Sequence, residues 1–210
     1  NFKIFMKRII FIFFLIPFLI QAQNPRTILK KIQEKFALRE NFIADYNQSV
    51  KTNNSSSLMK SSGLFYYQKK DQFRIEMKNQ IIISDGDTLW NFDKKSKRLI
   101  ISYMVDEPTT FSLEKFIYDY PPLCVVKLLN KSESNEDSFI IELKPKDDEL
   151  PFQSVKIWSN KDYEIKRFEM TDLLGTLYIF ELNNVKYNQV LPKNNFRFLI
   201  PKGIQVIDLR

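Results

Sequence analysis

The sequence contains no histidine, one cysteine and only four glycines in 210 residues. Without histidine, the chain cannot form Ser-His or Cys-His nucleophile pairs, and imidazole-based metal sites are also excluded. The single cysteine, Cys124, excludes an intramolecular disulfide, and we interpret it as a small buried residue rather than a nucleophile. The glycines form no phosphate-binding loop, so no nucleotide site is expected.

The first residues have the layout of a secretory signal peptide. Three basic residues precede a run of twelve apolar residues, 9–20, and Ala22 supplies a small residue at the expected cleavage site. The run is shorter than the roughly 20 residues of a membrane span, although an uncleaved N-terminal anchor is the alternative. We therefore expect a cleaved signal peptide over 1–22 and a single exported domain over 23–210.

The positive charge of the chain is modest once this segment is set aside. The formal net charge of +7 falls to +4, because the three basic residues are lost and no acidic residue precedes position 23. The other basic residues are interspersed with acidic ones along the chain, which argues against a nucleic-acid partner.

A helix followed by many short strands is the dominant pattern. Asn24 and Pro25 suit an N-cap and a first helical position, and apolar residues follow at helical spacing as far as Phe36. After Asn41 the apolar period changes to two, and strand-like runs recur about every ten residues. Residues 52–62 and 183–195 are polar and are predicted to be loops.

A second helix is predicted midway, because apolar residues recur at helical spacing from Leu113 to Tyr120, before a Pro-Pro pair. Residues 123–129 favour either a further helix or a strand, and the alternation of Phe196, Phe198 and Ile200 predicts a late strand. The fold class is therefore mainly β (α+β). We expect one large antiparallel sheet of about ten strands, which tends to curl or close into a barrel.

Two acidic stretches raise the question of a metal site. Asp85 and Asp87 could hold a metal ion, but Asp85-Gly86 between two strand-like runs is a strong hairpin signal, and no cluster of further ligands supports a metal. The stretch 147–149 lacks the ligand spacing of a calcium loop and is interpreted as a solvated turn. No metal or cofactor is therefore expected.

Several strands are apolar on both faces and need cover on both sides, for example 64–67, 81–83 and 177–180. An ordinary packed core explains this pattern, and so does a half-open barrel with an apolar pocket under a helical lid. The pair Lys69-Lys70 is interpreted as a solvated turn that could also contact anionic headgroups.

Four motifs resemble the periplasmic lipoprotein carriers of the LolA family. Residues 83–92 (ISDGDTLWNF) are similar to the family's central hairpin, and 42–48 (FIADYNQ) to its first strand, F-x-A-x-F-x-Q. Residues 63–66 leading to Phe73-Arg74 give a third match. Residues 196–208 (FRFLIPKGIQVID) are similar to F-x-F-x-x-P-x-G-V-x-V-x-D. The motifs keep their order over nearly all of the chain after the signal segment.

The resemblance implies an unclosed β-barrel with an N-terminal helix and a helical lid. It implies a periplasmic, monomeric, non-enzymatic chaperone that carries acylated lipoproteins from the inner to the outer membrane. The implied partners are an inner-membrane lipoprotein-releasing transporter and an outer-membrane acceptor. A carrier of another lipid or amphiphile, and a periplasmic lipid- or lipoprotein-sensing domain, are the alternatives; an enzyme would need a polar constellation that this sequence does not provide.

The expected cavity residues are chosen by strand alternation or helix face. The acyl-chain-binding candidates are Phe42, Tyr46, Phe73, Ile75, Met77, Trp90, Leu113, Phe116 and Ile117. In the family, an arginine of an Arg-Pro pair after the second strand bonds the lid, and Lys69-Lys70 occupies the matching positions here. Lys69 is therefore a lid-latch candidate, although lysine lacks the planar fork of arginine.

Overall fold

The computed structural model describes residues 24–53, 57–104, 112–129 and 138–210. The predicted signal peptide, 1–22, lies outside these residues. The α-helix α1 (Pro25–Ala37) begins where predicted: the Asn24 side chain accepts a hydrogen bond from the backbone N–H of Arg26 (2.9 Å), and proline occupies the first turn.

The described residues form one twelve-stranded sheet in the order β12-β6-β5-β4-β3-β2-β1-β11-β10-β9-β8-β7. The strands are β1 (Asn41–Lys51), β2 (Met59–Gln68), β3 (Gln72–Met77), β4 (Gln80–Asp85), β5 (Thr88–Asp93), β6 (Arg98–Tyr103), β7 (Cys124–Leu129), β8 (Ser138–Pro145), β9 (Phe152–Asn160), β10 (Ile165–Asp172), β11 (Leu177–Tyr187) and β12 (Gln205–Asp208). β12 runs parallel to β6, and the other pairs are antiparallel.

The sheet is curled and unclosed, as predicted. β1 to β6 and β7 to β11 are two meanders of neighbouring strands, and the pairing of β1 with β11 joins them. β12 and β7 form the two edges and do not pair with each other. The helix α1 packs against β7 and β8, so that Ile28, Leu29 and Ile32 are buried.

Residues 112–123, the described part of the connection after β6, lie over the concave side of the sheet and are called the lid segment here. This segment contains one π-helical turn (Lys115–Asp119), in which the N–H of Tyr120 donates to the carbonyl of Lys115 (2.9 Å), and a 3₁₀ turn (Pro121–Leu123). The predicted midway helix is therefore present but short and wide. The open choice at 123–129 is resolved as strand β7.

Three predicted boundaries are wrong. β2 begins at Met59, inside the predicted loop 52–62, and β11 extends to Tyr187, inside the predicted loop 183–195. The predicted strand at 196–200 is turn and coil. This segment lies against the convex face of the sheet instead of pairing, with Phe198 packed on Phe92 at 5.2 Å between ring centroids.

Candidate functional site

The concave face of the sheet holds a continuous cluster of large apolar side chains. Strand pairing aligns them: Phe42 lies opposite Tyr67, Phe65 opposite Ile75, and their neighbours alternate in the same register. The aromatic rings are in contact, with centroids of Phe42 and Tyr67 5.0 Å apart and those of Phe42 and Phe65 5.6 Å apart. Edge-to-face and tilted pairs of this kind add to the stabilisation from burial.

Eight of the nine cavity candidates lie in this cluster, and all eight are buried. They are Phe42, Tyr46, Phe73, Ile75, Met77, Leu113, Phe116 and Ile117. The structure thus brings together the strand and lid residues that the sequence assigned to one interior. Whether these residues contact an acyl chain stays a prediction.

Trp90 lies on the other face of the sheet. It pairs with Ile83 and Ile101, whereas its neighbour Leu89 belongs to the concave cluster. The choice of Trp90 as a cavity residue therefore has to be replaced by Leu89. The prediction failed because both faces of β4 to β6 are apolar, so that alternation does not distinguish the concave face. The segment that contains Phe198 covers the convex face.

The lid segment is seated on the sheet by aromatic contacts. The ring of Phe116 lies 5.9 Å from that of Phe168 and 6.4 Å from that of Phe152, between centroids. Tyr120 packs on Phe152 at 5.1 Å and on Phe116 at 5.5 Å. The π turn directs the side chains of Phe116 and Ile117 towards the sheet, where both are buried.

Polar contacts tie the start of the lid segment to the turn between β2 and β3. The carboxylate of Glu114 accepts from the hydroxyl of Tyr67 (2.6 Å) and from the backbone N–H of Lys70 (2.7 Å). The hydroxyl of Ser112 donates to Asp71 at 2.6 Å. The pKa of Tyr67 is raised mainly by burial and to a smaller extent by the hydrogen bond to Glu114. Burial also raises the pKa of Asp71.

A second tie joins the lid segment to α1. The Gln33 side chain donates to the carbonyl of Ile117 (2.7 Å), and the hydroxyl of Tyr118 donates to the carbonyl of Gln33 (3.2 Å). The lid segment is therefore held at its first residues by the β2–β3 turn and in its middle by the helix. The bond between Tyr67 and Glu114 is both charge-assisted and partly buried, and such bonds are worth more than exposed neutral ones.

Lys69, the latch candidate, makes a different contact. Its ammonium group pairs with Glu40 at 2.6 Å, on the connection between α1 and β1, and not with a described lid residue. Among the described residues, Tyr67, Lys70 and Asp71 make the bonds to the lid segment that the family resemblance implied for Lys69. A tyrosine inside a strand and a backbone N–H carry no sequence signal for this role.

A narrow cleft opens between α1, the lid segment and the strand ends. Its free space is about 20 Å³, and it is lined by Lys35, Phe36, Arg39, Phe42, Leu113, Tyr163, Glu164, Ile165, Leu182, Val185 and Tyr187. That volume accommodates roughly one water molecule. An acyl chain therefore requires the lid segment or α1 to move.

The outer lip of the cleft is charged. The guanidinium of Arg39 stacks over the Tyr187 ring at 4.1 Å and lies 3.6 Å from the Glu164 carboxylate. The ammonium of Lys31 lies 5.0 Å from the Tyr163 ring centroid. The cleft thus combines an apolar interior with a polar lip, the usual composition of a ligand pocket.

The acidic stretch at the β4–β5 hairpin is a turn, as predicted. The Asp85 carboxylate accepts from the N–H of Asp87 (3.1 Å) and of Thr88 (2.8 Å), and Gly86 has a φ of 104°. The described residues contain no group of three or more histidine, cysteine, aspartate or glutamate side chains that could hold a metal ion. Cys124 is buried, and burial raises the pKa of its thiol to about 11.

None of the helices in the part of the chain that the structure describes is both long enough and apolar enough to cross a membrane.

Together the fold and the site define an unclosed β-barrel whose apolar interior is covered by a helix and a tied lid segment. The family described as outer membrane lipoprotein carrier protein LolA matches residues 39–199, and the chain belongs to this family.

Individual relatives support this assignment at low identity. An outer-membrane lipoprotein carrier protein of Francisella tularensis subsp. novicida (strain U112) is 26% identical over 209 residues, covering 97% of this chain and 98% of the relative. One of Legionella pneumophila (strain Corby) is 25% identical over 185 residues, covering 87% and 90%. The crystal structure of an uncharacterized conserved protein from Thermus thermophilus has a TM-score of 0.54 at 14% identity, covering 87% and 98%, which shows the fold alone.

Proposed function

We propose that the protein is a non-enzymatic periplasmic chaperone that shields the acyl chains of lipoproteins and carries them from the inner to the outer membrane. The observation that carries the proposal is the single buried cluster formed by Phe42, Phe73 and Phe116 with their neighbours, beneath a lid segment held by few polar bonds. Membership of the lipoprotein carrier family supports the same role.

The energetics of acyl chains explain why a carrier is needed. Moving a chain from a membrane into water costs about 0.8 kcal/mol per CH₂ group, so an anchor of two or three chains costs tens of kcal/mol. An apolar interior of aromatic and branched side chains lowers this cost without requiring a specific chain length. In the proposed cycle an inner-membrane lipoprotein-releasing transporter loads the carrier, and an outer-membrane acceptor receives the cargo.

The lid segment would alternate between two states in this cycle. In the state described here, Glu114 and Asp71 accept the bonds that hold it, and the cleft has room for about one water molecule. Loading would separate the lid segment from the β2–β3 turn and expose the concave cluster. A ligand that binds the exposed cluster would favour the open state by its differential affinity for that state.

The test is photo-crosslinking inside the cell. A benzophenone amino acid replaces Phe116, which is buried in the cluster, and the protein is co-expressed with an acylated lipoprotein. We expect irradiation to crosslink the two, and no crosslink when the lipoprotein's acylated cysteine is replaced by serine. The matched control places the same group at Tyr103, which is an exposed aromatic residue outside the cluster.

The proposal fails if crosslinking from Phe116 does not depend on acylation, or if it equals that from Tyr103. A charge at the same position gives a second readout: Phe116→Glu should abolish co-purification with the lipoprotein, while Tyr103→Glu should not. Circular dichroism of both variants separates loss of binding from loss of fold. Mass spectrometry of the purified protein distinguishes lipoprotein from another lipid as cargo.

A further inference from the structure

At one end of the sheet, the strand ends of the first meander and of β12 collect positive charge that is scattered in the sequence. We call this surface the basic edge. It is formed by the adjacent ends of seven neighbouring strands, in the order β12, β6, β5, β4, β3, β2 and β1, and it comprises residues 51–53, 57–60, 77–80, 93–98 and 202–205. These segments contain eight basic residues and one acidic residue, Asp93. The rest of 24–210 contains 21 basic and 24 acidic residues, so the basic edge carries the whole positive excess.

Backbone contacts hold these segments on one surface. The N–H of Lys94 donates to the carbonyl of Asn79 (2.9 Å), which joins the β5–β6 turn to the β3–β4 turn. The N–H of Gln205 donates to the carbonyl of Lys97 (2.9 Å), which adds the start of β12. A notch of about 290 Å³ lies between the ends of β2 and β3, with Lys60 in its wall.

The lysines of the basic edge lack acidic partners. Lys60, Lys78, Lys95, Lys97 and Lys202 are exposed, and none forms an ion pair with another described residue. On the outer face of the second meander, by contrast, lysines lie beside carboxylates across or along the strands. Unpaired like charges repel one another, so their collection on one edge favours an anionic partner.

An apolar turn projects beside the basic edge. Leu173 and Leu174, in the β10–β11 turn, are 59% and 83% exposed, and Met59 at the start of β2 is 61% exposed. The side chain of Asn53 donates to the carbonyl of Leu174 (2.6 Å), which fixes this turn to the tip of β1. Exposed leucines at a turn next to lysines have the composition of a surface that enters the headgroup region of a bilayer.

We propose that the basic edge and the Leu173–Leu174 turn dock the protein on a bilayer that contains anionic phospholipids. The surface follows the strand ends, and seven of its eight basic residues are lysines. Lysines present flexible point charges that suit a layer of headgroups, whereas an ordered acidic protein site is better matched by arginine forks. Apart from Met77, the residues of the basic edge lie outside the concave cluster, so the docking is independent of the cargo.

The experiment measures binding of the purified full protein to cargo-free vesicles of phosphatidylethanolamine, with or without phosphatidylglycerol. Lys60→Gln, Lys78→Gln and Lys95→Gln are combined in an edge variant. The control variant combines the same change at Lys30, Lys186 and Lys193, which are exposed elsewhere. Each lysine near an anionic surface contributes roughly fivefold, so the edge variant should bind on the order of 100-fold more weakly, and the control should bind as the parent does.

A second pair of variants tests the apolar turn. Leu174→Ser should weaken binding at high salt, where the charges are screened, whereas Val190→Ser, at a fully exposed valine near the opposite end of β1, should not. The N-terminal segment is the same in all variants and cancels in the comparison. The proposal is overturned if vesicles with and without phosphatidylglycerol bind equally, or if edge and control variants weaken equally. It is also overturned if only an acidic protein, and no vesicle, binds the edge.

Discussion

Gly86 occupies a position that no other residue can fill without strain. Its φ of 104° lies in the left-handed region, and a Cβ built there would lie 2.6 Å from the carbonyl oxygen of Lys70 in the neighbouring turn. The β4–β5 turn is therefore pressed against the β2–β3 turn, the same turn whose residues bond the lid segment. A side chain added at Gly86 would push on the backbone of Lys70, whose N–H bonds Glu114 of the lid segment.

Replacing this glycine separates steric conflict from backbone preference. Gly86→Ala should reduce the free energy of unfolding by about 3 kcal/mol. Alanine is strained in the left-handed conformation, and its Cβ would also clash with the backbone of the neighbouring turn. Gly203→Ala is the matched control: its φ is 79° but no atom lies within 4 Å of the added Cβ, so about 1 kcal/mol is expected. Urea unfolding measures both, and equal losses would contradict the role of the contact.

For single residues, the sequence predicts local turn structure better than it predicts which face of the sheet a side chain lies on. The Asp85-Gly86 turn follows from local preferences, and the structure has it. The inward residue of the pair Leu89-Trp90 does not follow, because both are apolar and both faces of β5 are covered. Which face is concave depends on the curl of the sheet, a property of many strands together.

The lid segment shows what a short element needs from its surroundings. Its π turn is too short to be stable alone, since helix formation requires a costly nucleus. It is instead held by aromatic contacts to β9 and β10, and by bonds to Gln33 and to the β2–β3 turn. Glu114 is the centre of that last contact.

Removing the Glu114 contact should open the lid without unfolding the sheet. Glu114→Ala removes the acceptor for Tyr67 and for the N–H of Lys70, and hydrogen bonds to charged groups contribute about 1.5–3 kcal/mol. Amide exchange in 112–120 should therefore become roughly 10- to 100-fold faster, with β10 and β11 unchanged.

Lys69→Ala is the control for this measurement. Its ion pair with Glu40 is partly exposed, so exchange in the lid segment should stay at the parent rate. Faster exchange in Lys69→Ala than in Glu114→Ala would return the latch role to Lys69.

The elements themselves follow from the sequence where local pattern decides. α1, the hairpins of β3 to β6 and the midway helical segment are all predicted by spacing and turn residues. The segment 196–200 alternates like a strand but is not one, because its aromatic side chains pack on the convex face, with Phe198 against Phe92. Alternating apolar residues indicate a segment with one buried side and one exposed side. A segment that lies across the face of a sheet has two such sides even though it forms no strand pairing.

For the whole molecule, the closed interior limits access. The free space of the cleft, about 20 Å³, is far below the volume of an acyl chain, so the proposed function requires the lid segment or α1 to move before uptake. The bond between Ser112 and Asp71 marks where the lid segment meets the sheet, with side-chain oxygens 2.6 Å apart.

A disulfide at this point should lock the molecule closed. Asp71→Cys with Ser112→Cys places two thiols at the two positions of this contact, and Cys124 should not compete because it is buried with a pKa of about 11. We expect the oxidised double variant to take up no fluorescent fatty acid and the reduced form to recover uptake. Each single variant should bind under both conditions; uptake by the oxidised double variant would show that ligands enter elsewhere.

The pairing of β1 with β11 also determines how the chain reaches this structure. Each meander is built from strands that follow one another in sequence, but β1 and β11 join residues as far apart as Phe42 and Tyr187. Contacts so distant in sequence close slowly, so the edge of β1 stays open until nearly all of the polypeptide is available. The newly made chain is therefore most prone to aggregate during that interval, and the step that ends it also joins the two halves of the apolar interior.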